Sequence, residues 1–121
     1  MKFLAVFTPD AKTAGIPPTK EHMAEMGKFV EESFKSGVLL ATGGLLPVSK
    51  AGVRLQSAEG KITVIDGPFT ETKELIAGFA ILQLKSKEEA IESAKRFLKV
   101  AGDGVTELRQ IMEPEGNSAN L

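Results

Sequence analysis

The chain has no cysteine, no tryptophan, no tyrosine and a single histidine among its 121 residues. Without cysteine there is no disulfide framework, no thiolate metal site and no cysteine nucleophile. One imidazole per chain rules out a multi-histidine cluster within a subunit, so zinc is not expected, although carboxylates could still hold a hard cation. With 15 Lys and Arg against 16 Asp and Glu, the chain also lacks a basic field. The missing Trp and Tyr remove most of the aromatic platforms on which single strands stack, so a nucleic-acid partner is not expected. No run approaches the roughly 20 apolar residues that span a bilayer, and no membrane role is expected. The opening "MKFLAVF" is soon followed by Pro9 and Asp10, with no small-residue cleavage site, which argues against a signal peptide, and the absence of cysteine fits a reducing cytoplasm.

What is present is ordinary for a globular domain: 42% hydrophobic and 26% charged residues. The length suits one domain, read here as residues 1–113, followed by a polar tail over 114–121. "KFLAVF" is apolar on both faces and predicts a strand covered on each side. A turn-rich stretch ending in Pro17-Pro18 follows. Thr19 then caps a helix whose apolar stripe is Met23, Met26, Phe29, Val30 and Phe34, ended by Gly37. "VLLATGGLLP" reads as a short strand broken at Gly43-Gly44. Val53 and Leu55 alternate with Arg54 and Gln56 as a half-buried strand should, and "SAEG" turns the chain into "KITVI".

Residues 75–84, "LIAGFAILQL", predict the most buried strand, with Gly78 marking a close backbone approach or a bulge. Ser86 and Glu89 have the spacing of a capping box, opening a helix whose buried stripe is Ala90, Ile91, Ala94, Phe97, Leu98 and Ala101. "VTELRQIM" is the last strand. The order β-α-β-β-β-β-α-β predicts an α+β, ferredoxin-like subunit, an antiparallel sheet with two helices on one face. Two helices cannot cover both faces, yet the strands are apolar on both. A second copy packed sheet to sheet, a homodimer, would cover the other.

The densest chemistry lies in "IDGPFTETKELIAGF", residues 65–79. Asp66 either serves the turn, its carboxylate bonding nearby N–H groups while Gly67 frees the backbone, or is held by that turn as a general base or polar anchor; the two roles can coexist. Glu71, Lys73 and Glu74 either form a solvated charge cluster or hold a lysine between carboxylates, where it could bind an anion or orient a substrate carboxylate. His22 falls at the edge of the first helix's buried face, a half-buried structural side chain or an acid-base group. Arg54 could point to solvent or into a cavity. Glu107 and Arg109 share a face of the last strand, and Met23 and Met26 are core residues rather than a ligand box. "TGG" and "GDG" lack the setting of a phosphate loop, and no hydrolase triad is evident.

"DGPFTETKELIAGF" resembles the signature of YCII-related proteins of the DGPF type, DGPFAETKE followed by an apolar strand. "KFLAVF", "FKSGVLLATGGLLP", the hairpin before the signature, "SKEEAIESAKRF" and "ELRQIME" follow in the family's order. The motif positions are Asp66, Gly67, Pro68, Phe69, Glu71, Thr72, Lys73 and Glu74, then Gly78 and Phe79, with Thr70 at the usual alanine. The resemblance implies a dimeric α+β barrel of ferredoxin-like subunits, a bacterial cytoplasmic setting and genomic association with extracytoplasmic-function sigma factors, but no established reaction. It also implies that more distant members use a His-Asp pair with the histidine on the first helix, where His22 begins the helix here. Two functions stay open. One is a dimer that binds a small molecule and, without cofactor or metal, performs acid-base chemistry such as isomerisation or elimination, with Asp66, Lys73 and His22 as catalytic groups and Glu71, Thr72, Glu74, Arg54 and Phe69 in binding. The other is a non-catalytic accessory protein with a regulatory partner linked to a sigma factor.

Overall fold

β1 (Lys2–Pro9) is the strand around which the domain is built. It pairs antiparallel on one side with β5 (Gly78–Gln83) and on the other with β6 (Gly104–Gln110), while β2 (Leu39–Gly44) flanks β5, giving the order β2-β5-β1-β6. Helices α1 (Lys20–Lys35) and α2 (Lys87–Ala101) complete the split βαβ pattern. Between β2 and β5 the chain inserts a separate two-stranded hairpin, β3 (Val53–Ala58) and β4 (Lys61–Asp66). The α+β, ferredoxin-like reading therefore holds for the subunit. This computed structural model describes residues 1–13, 16–46, 52–66 and 76–114. Most of the signature connector, from Gly67 to Leu75, lies outside the described residues.

The helix ends follow from local chemistry. Thr19 Oγ1 accepts from the His22 N–H at 3.0 Å, and Gly37, with φ of 82°, turns the chain out of α1. At α2, Ser86 Oγ accepts from the Glu89 N–H at 3.2 Å. Glu89 Oε2 reaches one residue further back than a capping box requires and accepts from the Lys85 N–H at 2.9 Å.

The inner face of the sheet divides lengthwise. Phe3 stands opposite Leu82 in the β1–β5 register, and these two with Leu39, Leu84 and Ala90 form the buried core. Toward the other end the same strands carry Ala5 opposite Ala80 and Phe7 opposite Gly78, so side-chain volume falls away. Small residues at that end leave room that the helices do not fill.

Several expectations need correction. β5 is shorter than the apolar run 75–84, starting at Gly78, and most of it is only half-buried. β2 is not broken at Gly43-Gly44 but continues through both, bulging instead between Leu39 and Ala41. In α1, Met23 and Phe34 are exposed, at 54% and 46%, while His22 and Ser33 turn inward; the half-buried stripe runs His22, Met26, Phe29, Val30, Ser33. In α2, Ser93 is buried and Ile91 lies toward solvent. The hairpin alternates as expected, but none of β3 is half-buried: Val53, Leu55, Ile62 and Val64 are 53–69% exposed, because the hairpin is not part of the main sheet. Gly78 does mark a close approach, since an added Cβ would lie 3.2 Å from the Gly43 carbonyl oxygen.

Candidate functional site

The room left at the small-residue end is a cavity of about 400 Å³ between the inner sheet face and both helices. The sheet contributes the small residues Ala5, Gly44, Gly78 and Ala80, Ala77 adds another just before β5, and α2 contributes Ala94 and Ala101. Three phenylalanines from three elements brace the wall. Phe7 of β1 meets Phe97 of α2 edge to face, centroids 5.3 Å apart at 81°, and Phe29 of α1 lies 6.3 Å from Phe97 at 49°. Such ring pairs add about 0.5–1.5 kcal/mol each beyond the area they bury. They therefore hold the helices at a spacing that keeps the cavity open.

Polar groups on this wall are few. His22, in the first turn of α1, is half-buried and lines it, four residues before Met26 on the same helical face. Ser33 and Thr42 also line it, but their hydroxyls are taken: Ser33 Oγ donates to the Phe29 carbonyl at 2.7 Å, and Thr42 Oγ1 to the Phe79 carbonyl at 2.8 Å. Thr106 of β6 differs. Its Oγ1 is buried and has no hydrogen-bond partner among the described residues. A hydroxyl left so costs about 1–3 kcal/mol. Among the described residues, no Asp, Glu, Lys or Arg lines the cavity, and no three His, Asp or Glu side chains converge to hold a metal ion.

Of the candidate catalytic and binding residues read from the sequence, His22 is placed on the cavity wall among the described residues, and the signature positions Gly78 and Phe79 line it too. Asp66 closes β4, paired in register with Val53. Arg54 is exposed on β3 and does not line the cavity. Phe69, Glu71, Thr72, Lys73 and Glu74 lie outside the described residues. Glu107 and Arg109 alternate with Thr106 and Leu108 and so face away from the cavity. Sequence reasoning passed over Thr106 and Ser33. The signal was present in both cases: Ser33 continues the helical spacing of His22, Met26, Phe29 and Val30, and Thr106 shares the inward parity of Leu108.

Residues 1–115 match the YCII-related domain. The chain belongs to the YCII-related family. A curated relative, the uncharacterised protein R00369 of Rhizobium meliloti (strain 1021), is 33% identical over 73 residues, covering 60% of this chain and 58% of that protein. The chain thus matches little more than half the length of that relative. Among solved structures, 5-chloro-2-hydroxyhydroquinone dehydrochlorinase (TftG) from Burkholderia phenoliruptrix AC1100, in complex with 2,5-dihydroxybenzoquinone, superposes with a TM-score of 0.56. That match covers 97% of this chain and 99% of the neighbour at 15% identity, and establishes the fold this YCII-related chain shares with it.

Proposed function

We propose that this YCII-related protein is a small-molecule-binding homodimer of the bacterial cytoplasm that performs cofactor-independent acid-base chemistry, isomerisation or elimination, in the cavity between helices and sheet. The observation that carries this reading is the chain's single imidazole on the wall of an otherwise apolar cavity of about 400 Å³. Imidazole is the side chain best suited to take up and return a proton near neutral pH, and an apolar surround limits the water that competes for it. The name of the fold neighbour, a dehydrochlorinase, is that of an enzyme acting by elimination on a small molecule and agrees in kind.

Asp66 and Lys73 are the proposed partners of His22. Their connector rejoins the described chain beside the cavity: Ala77 lines it, and its N–H bonds the Phe7 carbonyl at 2.8 Å. Lys73 precedes Ala77 by only a few residues, so the backbone between them spans at most about 14 Å. Its flexible side chain extends that reach further. The test begins with a metabolite library screened by thermal shift, followed by turnover assays on the compounds that stabilise the protein. His22→Gln is expected to retain binding and lose about 10²–10⁴-fold in turnover, as removal of an acid-base group does. Unchanged turnover in His22→Gln, Asp66→Ala and Lys73→Ala, or no stabilising compound, would defeat the reading.

One observation favours a second reading, the non-catalytic accessory protein. The hairpin presents Val53, Leu55, Ile62 and Val64 on one face, all more than half exposed, as a surface that takes a partner would. On this reading a stoichiometric partner, such as a regulator linked to a sigma factor, co-purifies with the native chain and is lost on Leu55→Lys. Purification from cells with no partner at stoichiometric level counts against it.

A further inference from the structure

We infer that Ser93 of α2 is the anchor of the cavity, its hydroxyl binding a hydroxyl, carbonyl or carboxylate oxygen of the ligand at the end remote from His22. The inference rests on the small-molecule reading of the same cavity. Its ground is a contrast between two serines that line the cavity from the two helices. Ser33 of α1 donates to the Phe29 carbonyl four residues back, at 2.7 Å, as a helical serine can. Ser93 is only 7% exposed, yet its hydroxyl has no hydrogen-bond partner among the described residues. Its oxygen also keeps accessible surface, whereas that of Thr106 is sealed. A hydroxyl so placed, buried in the protein but open to the cavity, has both its donor and its acceptor sites free for a ligand.

Packing alone does not call for a serine here. Ser93 follows Ala90 of the core by three residues on the same helical face and adjoins Ala94. Alanine at this place has the higher helix propensity and brings no polar atom to desolvate. The order of the elements sets which end of the ligand Ser93 holds. α1 ends and α2 begins at the core end of the sheet, where Leu39 of β2 stands opposite Leu82 of β5, so the two helices run in opposite directions. His22 lies about two turns before Phe29 in α1 and Ser93 about one turn before Phe97 in α2, and these two rings lie 6.3 Å apart. Ser93 and His22 therefore stand on opposite sides of the ring contact along the helices, with Ser93 near the core. A molecule held by its oxygen at Ser93 extends toward the imidazole that the proposed chemistry uses.

Three matched probes test the anchor: naphthalene, 2-naphthol and 2-naphthoate, titrated into the full chain by NMR or fluorescence. At least one of the oxygen-bearing probes is expected to bind the native chain about tenfold more tightly than naphthalene, the size of one hydrogen bond. Ser93→Ala is expected to remove that gain. Ser33→Ala is expected to keep it, because the Ser33 hydroxyl is already bonded to its own helix. With no protein partner to lose, Ser93→Ala should leave the melting temperature of the unliganded chain unchanged or raise it. A gain that survives in Ser93→Ala, is absent from the native chain, or is lost equally in Ser33→Ala overturns the anchor, as does a clear fall in the melting temperature of Ser93→Ala. Neither variant touches His22, so those outcomes leave the cavity and its imidazole in place. If no probe binds the native chain, the cavity reading and the anchor fall together.

Discussion

Gly104, the first residue of β6, stands opposite Pro9 and leaves its space to a neighbour. An added Cβ there would lie 2.6 Å from Phe7 Cε1 and 2.6 Å from the Thr8 carbonyl oxygen. Contacts of that length cannot be tolerated, and the backbone oxygen cannot swing aside as a side chain can. Gly104→Ala is expected to cost about 1–3 kcal/mol in urea unfolding, within the range for overpacking, and to disturb the Phe7–Phe97 contact that braces the cavity. Loss of ligand affinity alongside stability is the expected pair of results; stability within about 0.5 kcal/mol of the native chain would show that β6 can shift freely at this point. His22 illustrates the opposite case, a residue whose place followed from spacing. Its phase relative to Met26, Phe29 and Val30 put it at the margin of the inward face, and the structure sets it, half-buried, on the wall.

Local signals decide the elements, and they can be tested one at a time. Thr19 and Ser86 each satisfy an N–H at a helix start, at 3.0 and 3.2 Å. Replacing either by alanine is expected to lower stability by about 1 kcal/mol in denaturant unfolding. Ser86→Ala also leaves Glu89 holding only the Lys85 N–H. The hairpin turn offers a change in the other direction. Glu59 and Gly60 both have positive φ, 51° and 79°, the backbone of a two-residue turn that favours Asn-Gly. Glutamate has no side-chain geometry that offsets the left-handed backbone. Glu59→Asn is therefore expected to slow amide exchange across β3 and β4 several-fold while changing the global unfolding midpoint little, because the hairpin opens separately from the main sheet. Faster exchange in that variant would contradict the turn assignment. By contrast, the ion pairs Lys35–Glu31 and Lys95–Glu92 are solvent-exposed, so salt should alter stability only slightly.

At the scale of the whole molecule, two apolar surfaces remain partly or largely exposed among the described residues. The outer sheet face carries Leu4, Val6 and Ile81, only half-buried although β1 and β5 are the central strands. The hairpin carries Val53, Leu55, Ile62 and Val64, and an isolated two-stranded hairpin is marginal in water unless something packs on it. We propose that a second copy covers the outer face. Light scattering of the native protein at micromolar concentration should then report twice the mass of one chain, and Val6→Asp should halve it. A native protein that runs as a single chain rejects this arrangement. Val64→Lys is expected to change the stability of the subunit by no more than about 0.5 kcal/mol, since Val64 is 62% exposed. A larger loss would show that the hairpin is buried in the native assembly.

Element order, both helix starts, the hairpin and the α+β class could be read from the chain because each depends on neighbours a few residues apart: caps, turn residues and apolar spacing. The same local rules placed His22 near the inward face and Gly78 at a close approach. They could not place the cavity, because its walls come together from β1, α1, β2, β5, α2 and β6, and whether facing residues fill or leave space depends on volumes summed across the layers. They also misjudged burial where periodicity was right: the hairpin alternates as a half-buried strand does, yet tertiary structure sets it apart from the sheet that would have covered it. Thr106 is the sharpest instance. Alternation assigns its side chain a face, but only the packed domain decides that its hydroxyl is buried, on a residue opposite Phe7, with no partner among the described residues.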